Sequence, residues 1–326
     1  LPKGGIGPIE ARLVRGNAVE SRHRVHVLAV DGGGKIRAQW GDPDYSFYPR
    51  SAIKLIQAIS WVAPANFAEF HLGAPEFAIA CGSHEGEEEH VEVARAWLEK
   101  IHLSEKDLEC GAHEPYDRGA ARRLAAAGKP WTQLHNNCSG KHCGFLTGCL
   151  KEGWPIAGYT AYDHPMQARL RALQAPFFGV NLEKAAWGID GCGIPTYEVT
   201  LRQMAEAMGK VANARILGSE IHKAITALEG GIAEFPQLIG GSQTFSTKVT
   251  PDTGGKVFAK VGAEGVFGLW IPEAGIGIAA KCEDGTIRAV EVAVAAALKE
   301  LGYPLSFYSP LVTRWSGEVV GEMSCG

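Results

Sequence analysis

The sequence predicts an α+β protein whose central antiparallel sheet is assembled from both ends of the chain. Apolar residues cluster in short, turn-bounded runs near the N-terminus, in HRVHVLAVDGGGKIRAQWG, and again in the last third, in GGKVFAKVGAEGVFGLWI and GIGIAAKCEDGTIRA. Between these regions, apolar residues recur mainly at helical spacing. Strands at both ends with helices between them indicate a sheet formed by the two termini, with a helical region beside it.

The two ends of the chain supply the strands. The N-terminal segment predicts two strands joined by a glycine-rich turn. The last third predicts three or four antiparallel strands, with turns at residues 262–265 and 283–285, and AVEVAVAAALKELG predicts a final helix that packs on the sheet. We therefore expect the sheet to use residues from about 20–50 and 255–326.

The middle of the chain, about residues 51–254, is predicted to be mainly helical. SAIKLIQAISWV predicts a helix with Ser51 at its N-terminus, EFAIAC a short buried strand before a polar turn, and EEEHVEVARAWLEKIH a helix with an acidic first turn. Further helices are predicted at RGAARRLAAAG, KHCGFLTGCLKEG, HPMQARLRALQ, YEVTLRQMAEAMGK and NARILGSEIHKAITALEGG, with a long turn at WGIDGCGIPT. Because no linker is evident, residues 1–326 are predicted to form one domain, with a site in the cleft between sheet and helices.

Composition excludes several functional classes. The 326 residues are 46% hydrophobic and 21% charged, with a net charge of −4 and no basic block, so nucleic acid is not an expected partner. No segment has the ~18–20 continuous apolar residues of a membrane span, and the first residues lack a signal-peptide pattern. We expect a cytoplasmic protein. Its eight cysteines lack zinc-ribbon spacing, but several lie in polar turns.

Two serine-containing turns are candidates for nucleophilic chemistry. Ser51 and Lys54 are three residues apart and would share a helix face, but Lys54 is a base only if burial or nearby positive charge lowers its pKa. The structural alternative is a capping serine and a solvated lysine. Ser83, in CGSHEG, is a second hydroxyl that otherwise belongs to a helix-capping turn. Arg50 either binds a substrate carboxylate or is solvated.

Two later segments carry further reactive side chains. Cys138 would lie at the start of a helix with Lys141 and His142 on its first turn, and Cys192 could approach from the glycine-rich turn GIDGCGIP. Thiolates at helix N-termini are activated and bind zinc well. In that same turn, Asp190 is a candidate partner for a substrate ammonium or simply closes an Asx-turn. Lys260, in Lys-Val-Gly on a predicted strand, resembles the third motif of serine β-lactamase-like enzymes, although by itself an exposed strand lysine is the better explanation.

Taken together, these segments closely resemble the class 3, or rhizobial-type, L-asparaginases, which form the asparaginase II family. The matching stretches extend from about residue 20 to about residue 285 and are ESRHRVH, RSAIK, CGSHEGEEEH, NNCSGKH, YDHPMQ, WGIDGCGIPT and KVGAEGV. The resemblance implies a serine β-lactamase/glutaminase-like fold, hydrolysis of L-asparagine to L-aspartate and ammonia, and a homodimer.

The resemblance also assigns roles to individual residues. It implies catalytic Ser-Lys pairs formed by Ser51 with Lys54 and by Ser83 with Lys260. It implies a Zn²⁺ site, structural or substrate-positioning, with the ligands Cys138, Lys141 and Cys192. It further implies a substrate pocket lined by Arg50, Asp190 and His142.

From these roles we expect an acyl-enzyme mechanism in which Ser51 attacks the amide and Lys54 takes its proton, with Ser83 as the alternative nucleophile. Arg50 would hold the α-carboxylate of the substrate and Asp190 its α-ammonium. The rival interpretations are a glutaminase, a β-lactam-type serine acyl hydrolase, and a relative that binds zinc or an amino acid without catalysis.

Overall fold

The strands lie mostly at the two ends of the chain. The computed structural model of the protein describes residues 3–5, 7–62 and 69–325. In these residues the strands are β1 (Lys3–Gly5), β2 (Ile9–Arg15), β3 (Ala18–Asp31), β4 (Ile36–Trp40), β5 (Ser46–Phe47), β6 (Trp187–Ile189), β7 (Pro195–Tyr197), β8 (Val199–Thr200), β9 (Phe258–Gly262), β10 (Val266–Ile271), β11 (Ile276–Cys282), β12 (Leu311–Thr313) and β13 (Val319–Cys325).

The helices occupy the region between the two groups of strands, apart from one that follows β11. They are α1 (Lys54–Ile59), α2 (Ala74–Ala80), α3 (Glu88–Lys100), α4 (Arg118–Ala126), α5 (Ser139–Glu152), α6 (Pro165–Phe178), α7 (Leu201–Ala212), α8 (Ser219–Glu234), α9 (Phe245–Asp252) and α10 (Ile287–Leu301). Short 3-10 turns lie at Arg50–Ile53, Glu105–Asp107, Gln133–His135, Ala214–Leu217 and Pro236–Ile239. None of the helices within the described ranges is long and apolar enough to cross a membrane.

The central sheet combines strands from both termini, as predicted. Its order is β12-β13-β2-β3-β11-β10-β9, and β4 and β1 continue beside β3. The pairing is antiparallel except between β1 and β4. Strand β3 is central because its long apolar run pairs with strands from both ends of the chain. The α+β architecture is therefore confirmed.

Apolar layers lie on both faces of this sheet. Side chains alternate along β3, so that Val27 and Ala29 join the layer beneath α10, whereas Leu28 and Val30 join the layer that packs against the helical middle. The same alternation along β9 decides which of its residues face the helices. Lys260, between Ala259 and Val261 of the α10 layer, points to the helical side.

The structure corrects three predictions of local structure. The segment predicted as a buried strand, EFAIAC, forms the end of α2 and its C-cap residue Cys81. The sheet begins at β1 and not near residue 20. Finally, the segment predicted as one helix at NARILGSEIHKAITALEGG is divided at Gly218 into a 3-10 turn and α8, because that glycine adopts a φ of 92°.

Candidate active site

The predicted site residues come together around one cleft between the sheet and the helical middle. This cleft has a volume of about 740 Å³. Its polar end is lined by Arg50, Ser51, Ser83, Cys138, Asp190 and Cys192. These residues come from the 3-10 turn before α1, the loop after α2, the start of α5, and the turn between β6 and β7. Segments that are far apart in the sequence thus supply one polar surface.

Ser83 and Lys260 form a hydrogen-bonded pair at this end of the cleft. The Lys260 Nζ lies 2.9 Å from the Ser83 Oγ and 2.7 Å from the backbone oxygen of Val261. Burial, and then the positive charge of Lys54, lower the pKa of Lys260 well below its ordinary value. A neutral amine in contact with a serine hydroxyl is the arrangement that a general base requires.

Ser51 and Lys54 are not paired in this way. The Lys54 Nζ is fully buried and donates hydrogen bonds to the backbone oxygens of Gly82 and, at 3.3 Å, Asn137. Burial also lowers the pKa of Lys54. Among the residues that the structure describes, the Ser51 hydroxyl has no hydrogen-bond partner, and it faces the cleft. Lys54 therefore ties together the two loops that carry Ser83 and Cys138.

The glycine of the Lys-Val-Gly segment allows β9 to approach the turn that carries Ser51. A Cβ atom at Gly262 would lie 2.7 Å from the backbone oxygen of Pro49 and 3.1 Å from the nitrogen of Ala52. Because Lys260 and Gly262 share one face of the strand, the close contact at Gly262 also brings Lys260 to the cleft. The segment thus links the two serine-bearing regions through backbone packing.

Arg50 and Asp190 form an ion pair beside Ser51. The Asp190 Oδ1 accepts hydrogen bonds from the Arg50 Nε at 3.0 Å and from its Nη2 at 2.6 Å. Burial raises the pKa of Asp190, but the charges of Lys141 and Arg50 outweigh it and lower that pKa overall. Arg50 itself has a φ of 50°, which is uncommon for a residue with a side chain and is often found at functional sites.

Cys138, Lys141 and Cys192 converge at the wall of the same cleft. The Lys141 Nζ lies 3.1 Å from the Cys192 Sγ, and the thiol of Cys138 is hydrogen-bonded to Cys192. That hydrogen bond lowers the pKa of Cys192 well below its ordinary value, and the nearby amine of Lys141 lowers it further. Two sulfur donors and one nitrogen donor fit the ligand preferences of zinc, and a bound metal would replace the proton on Lys141.

His142 does not lie on the cleft surface, where the sequence places it as a pocket residue. Its side chain is fully buried on α5, and its Nδ1 is 2.7 Å from the hydroxyl of Tyr159. Burial lowers its pKa to about 3, and its Nε2 has no hydrogen-bond partner in the described residues. His142 is therefore a neutral residue behind the wall of the cleft.

The other end of the cleft is aromatic, and the sequence did not indicate it. It is lined by Phe245, Phe267, Ile287, Glu291, Phe307 and Tyr308. The phenylalanines and the tyrosine come from α9, β10 and the loop after α10, so no local motif joins them. A buried apolar pattern in each segment explains them equally well as core residues.

Comparison with protein families identifies the chain. A family model described as L-asparaginase II matches residues 11–325, which is nearly the whole chain. The chain belongs to the L-asparaginase II family. The family predicted from the motifs is thereby confirmed. The comparison with curated proteins gave no match.

Solved structures similar to the asparaginase II chain include glutaminases. The native form of Mglu aligns with a TM-score of 0.49 and 12% identity, covering 87% of this chain and 66% of that one. A covalent complex of the Bacillus subtilis glutaminase YbgJ with 5-oxo-L-norleucine aligns with a TM-score of 0.39 and 13% identity, covering 86% and 87%. A Bacillus glutaminase in the presence of 4.3 M NaCl aligns with a TM-score of 0.46 and 13% identity, covering 87% of this chain and 92% of that one. The chain thus spans slightly less than two thirds of the Mglu length.

Proposed function

We propose that this protein hydrolyses the side-chain amide of L-asparagine to L-aspartate and ammonia. Family membership supports the amide chemistry. The observation that carries the proposal is the contact between the buried Lys260 amine and the Ser83 hydroxyl in a cleft that also holds Ser51. A lysine with a lowered pKa next to cleft serines is suited to acyl transfer through a serine ester.

The Arg50–Asp190 ion pair provides complementary charges for an amino-acid substrate. A zwitterion entering the polar end of the cleft would exchange this ion pair for two others, with its α-carboxylate on Arg50 and its α-ammonium on Asp190. Because Arg50 precedes Ser51 in the chain, a substrate held in this way would have its side chain near the Ser51 hydroxyl. Charge complementarity at both ends favours an α-amino acid over an uncharged amide.

Ser51 is the proposed nucleophile. Its hydroxyl lines the cleft beside Arg50 and is free of hydrogen bonds to other described residues, whereas Ser83, whose hydroxyl contacts Lys260, is the alternative nucleophile. The Ser51 oxygen would form a bond to the amide carbon. Its proton would pass to the neutral amine of Lys54 and then to the nitrogen that leaves as ammonia. Water would then hydrolyse the ester and release aspartate. Ser83 and Lys260 complete the path for the proton, and backbone N–H groups stabilise the oxyanion.

Mass spectrometry of a trapped reaction tests this assignment. The protein is mixed with asparagine, quenched in acid and digested, and the aspartyl group is located by peptide mapping. We expect it on Ser51. An aspartyl group on Ser83 would exchange the roles of the two serines.

Activity assays test the proposed substrate. Ammonia release from glutamine in preference to asparagine, or hydrolysis of a β-lactam, would refute it.

We further propose that Cys138, Lys141 and Cys192 hold Zn²⁺. The metal would supply a fixed positive charge that organises this wall of the cleft or positions the substrate. Elemental analysis of the purified protein should give about one zinc per chain, and Cys192→Ser should lose most of it. Cys325→Ser is the matched control, because Cys325 lies on β13 at the far side of the sheet. Equal zinc contents in both variants would reject Cys192 as a ligand.

A further inference from the structure

The aromatic end of the cleft is larger than hydrolysis of a small amino acid requires. Clefts of roughly 300–1,000 Å³ accommodate drug-sized ligands, and the 740 Å³ cleft falls within this range. Asparagine would occupy only the polar end, near Arg50 and Asp190. Part of the remaining volume lies against Phe245, Phe307 and Tyr308, which make no contribution to the proposed amide chemistry.

This aromatic end lies on the α10 side of the sheet. Val261 lines the cleft and pairs with Phe267 across β9 and β10, and both belong to the layer of side chains opposite Lys260. Strand β9 is an edge strand, and Gly262 and Ala263 at its carboxyl end also line the cleft. The cleft therefore continues from the catalytic serines around the end of β9 to the aromatic side chains.

The aromatic side chains form one cluster around Phe245. Its ring centroid lies 5.4 Å from that of Phe267, 5.6 Å from Phe307 and 5.1 Å from Tyr308, with edge-to-face geometry in each case. Aromatic faces attract organic cations through their quadrupoles, and cages of such rings recognise ammonium groups. The cluster supplies this kind of surface at the wall of the cleft.

Glu291 places an unpaired carboxyl group in the same region. It lies on α10, it lines the cleft, and it has no hydrogen bond or ion pair with any residue in the described parts of the chain. Burial alone raises its pKa to about 7, and its negative charge helps to raise the pKa of Tyr308. Of the two Lys and Arg side chains that line this cleft, Lys248 donates to Gln243 at 2.9 Å and Arg50 is paired with Asp190. A partly buried carboxylate without a partner favours the binding of a cation.

We propose that the aromatic end of the cleft, with Glu291, binds the terminal ammonium group of substituted L-asparagines. In these substrates the nitrogen of the side-chain amide carries an aminoalkyl chain. The proposal rests on the amide hydrolysis proposed above. Such a substrate would place its aspartyl part against Arg50 and Asp190, and its alkyl chain would pass the end of β9. Hydrolysis would break the amide C–N bond, add water, and release L-aspartate and a diamine in place of ammonia.

Calorimetry tests the ammonium site without any catalysis. Phenethylammonium chloride should bind the wild-type protein, whereas neutral phenylethanol should bind at least about tenfold more weakly. Glu291→Gln should weaken ammonium binding by about tenfold or more, because it removes the negative charge. Phe307→Leu should weaken it by roughly threefold, because it removes an aromatic face. Glu322→Gln, which removes an exposed carboxylate on β13, is the matched control and should bind as the wild type does. Equal affinity in Glu291→Gln and wild type, or equal affinity for phenylethanol, would overturn the site.

Kinetics then test its link to the reaction. We expect kcat/KM for asparagine with an aminopentyl chain on the amide nitrogen to exceed that for its hydroxypentyl counterpart by about tenfold. This ratio should fall to about one in Glu291→Gln and persist in Glu322→Gln. A ratio of one in the wild type would overturn the substrate assignment. Failure of the wild type to hydrolyse asparagine itself would instead overturn the proposed function, and the calorimetry would still decide whether the ammonium site exists.

Discussion

The two Ser-Lys pairs of the cleft have opposite arrangements. In Ser83 and Lys260, which are 177 residues apart, the amine and the hydroxyl are in contact at 2.9 Å. In Ser51 and Lys54, which are three residues apart, the amine turns away to the backbone oxygens of Gly82 and Asn137, and the hydroxyl stays open to the cleft.

This difference indicates that the two pairs have different structural roles. The tertiary pair brings the Lys260 amine into contact with the Ser83 hydroxyl, whereas in the local pair the Ser51 hydroxyl faces the cleft and the Lys54 amine connects two loops. A buried donor that satisfies two backbone oxygens stabilises the loops, because each oxygen left without a partner would cost free energy. Lys54 is therefore as much a structural residue as a catalytic candidate.

The largest expected effect comes from removing the hydroxyl groups one at a time. Ser51→Ala should lower kcat for asparagine by about 10⁴-fold or more, since it removes the proposed nucleophile. Ser83→Ala should lower kcat by about 10²–10⁴-fold, because it interrupts proton transfer alone. Ammonia release measures both, and circular dichroism checks that each variant is folded. A larger loss in Ser83→Ala would reverse the assignment of the pairs.

The next largest effect comes from replacing the lysines. Lys260→Met should lower kcat by about 10²–10⁴-fold. It should also raise the free energy of unfolding by about 1–2 kcal/mol, because a buried amine is replaced by an apolar side chain. Lys54→Met should instead lower the free energy of unfolding by about 1–3 kcal/mol, since Gly82 and Asn137 lose their donor. Urea unfolding compares the two variants, and equal changes in both would remove the structural distinction between them.

A smaller effect is expected from obstructing the backbone contact between β9 and the turn that carries Ser51. Gly262→Ala places a methyl group against the backbone of Pro49, so β9 must shift away from the turn that carries Ser51. We expect kcat to fall by about tenfold and stability by about 1–3 kcal/mol. Gly230→Ala, in α8 with open space around it and without a positive φ, adds the same methyl group away from the cleft and serves as the activity control. Wild-type kcat in Gly262→Ala would show that this contact does not set the geometry.

The smallest effect concerns pH. Burial lowers the pKa of Lys260 in the folded protein well below its ordinary value of 10.5, whereas the unfolded chain binds the proton of this amine below pH 10.5. The contribution of Lys260 to the free energy of unfolding is therefore lost as pH falls from 10.5 towards the lowered pKa, by about 1.4 kcal/mol for each pH unit. The wild type should therefore gain stability relative to Lys260→Met as pH rises from 7, and the advantage of the variant should disappear within about one to two pH units. A difference that is constant with pH would contradict the lowered pKa.

The sequence predicts the fold where its patterns are long or strongly apolar. The run that forms β3 and the helix that forms α10 are predicted because their apolar patterns are long. EFAIAC is too short for periodicity to separate a buried helix from a strand, so the strand predicted there is wrong. The strand β13 was not identified because its side chains are mostly half-exposed and carry only a weak alternation.

The site is predictable as a set of residues but not as a set of contacts. The motifs bring Ser51, Ser83, Cys138 and Asp190 to one cleft, since each follows a turn or starts a helix. Spacing suggested that Lys54 would serve Ser51, but the buried carbonyl groups of two loops compete for its amine. The ion pair between Arg50 and Asp190 was not expected, because both residues were assigned to the substrate and not to each other.

One residue of α2 fixes the distance between the loop of Ser83 and the helix that carries Lys141. The backbone of Ile79 is packed directly against Gly82 and Gly140. A Cβ atom added at Gly82 would lie 2.9 Å from the Ile79 backbone oxygen, and one added at Gly140 would lie 2.5 Å from the same oxygen. Backbone contacts of this kind leave no flexible side chain to absorb a movement. A displacement at the start of α5 would therefore be transmitted through the backbone of Ile79 to the loop that carries Ser83.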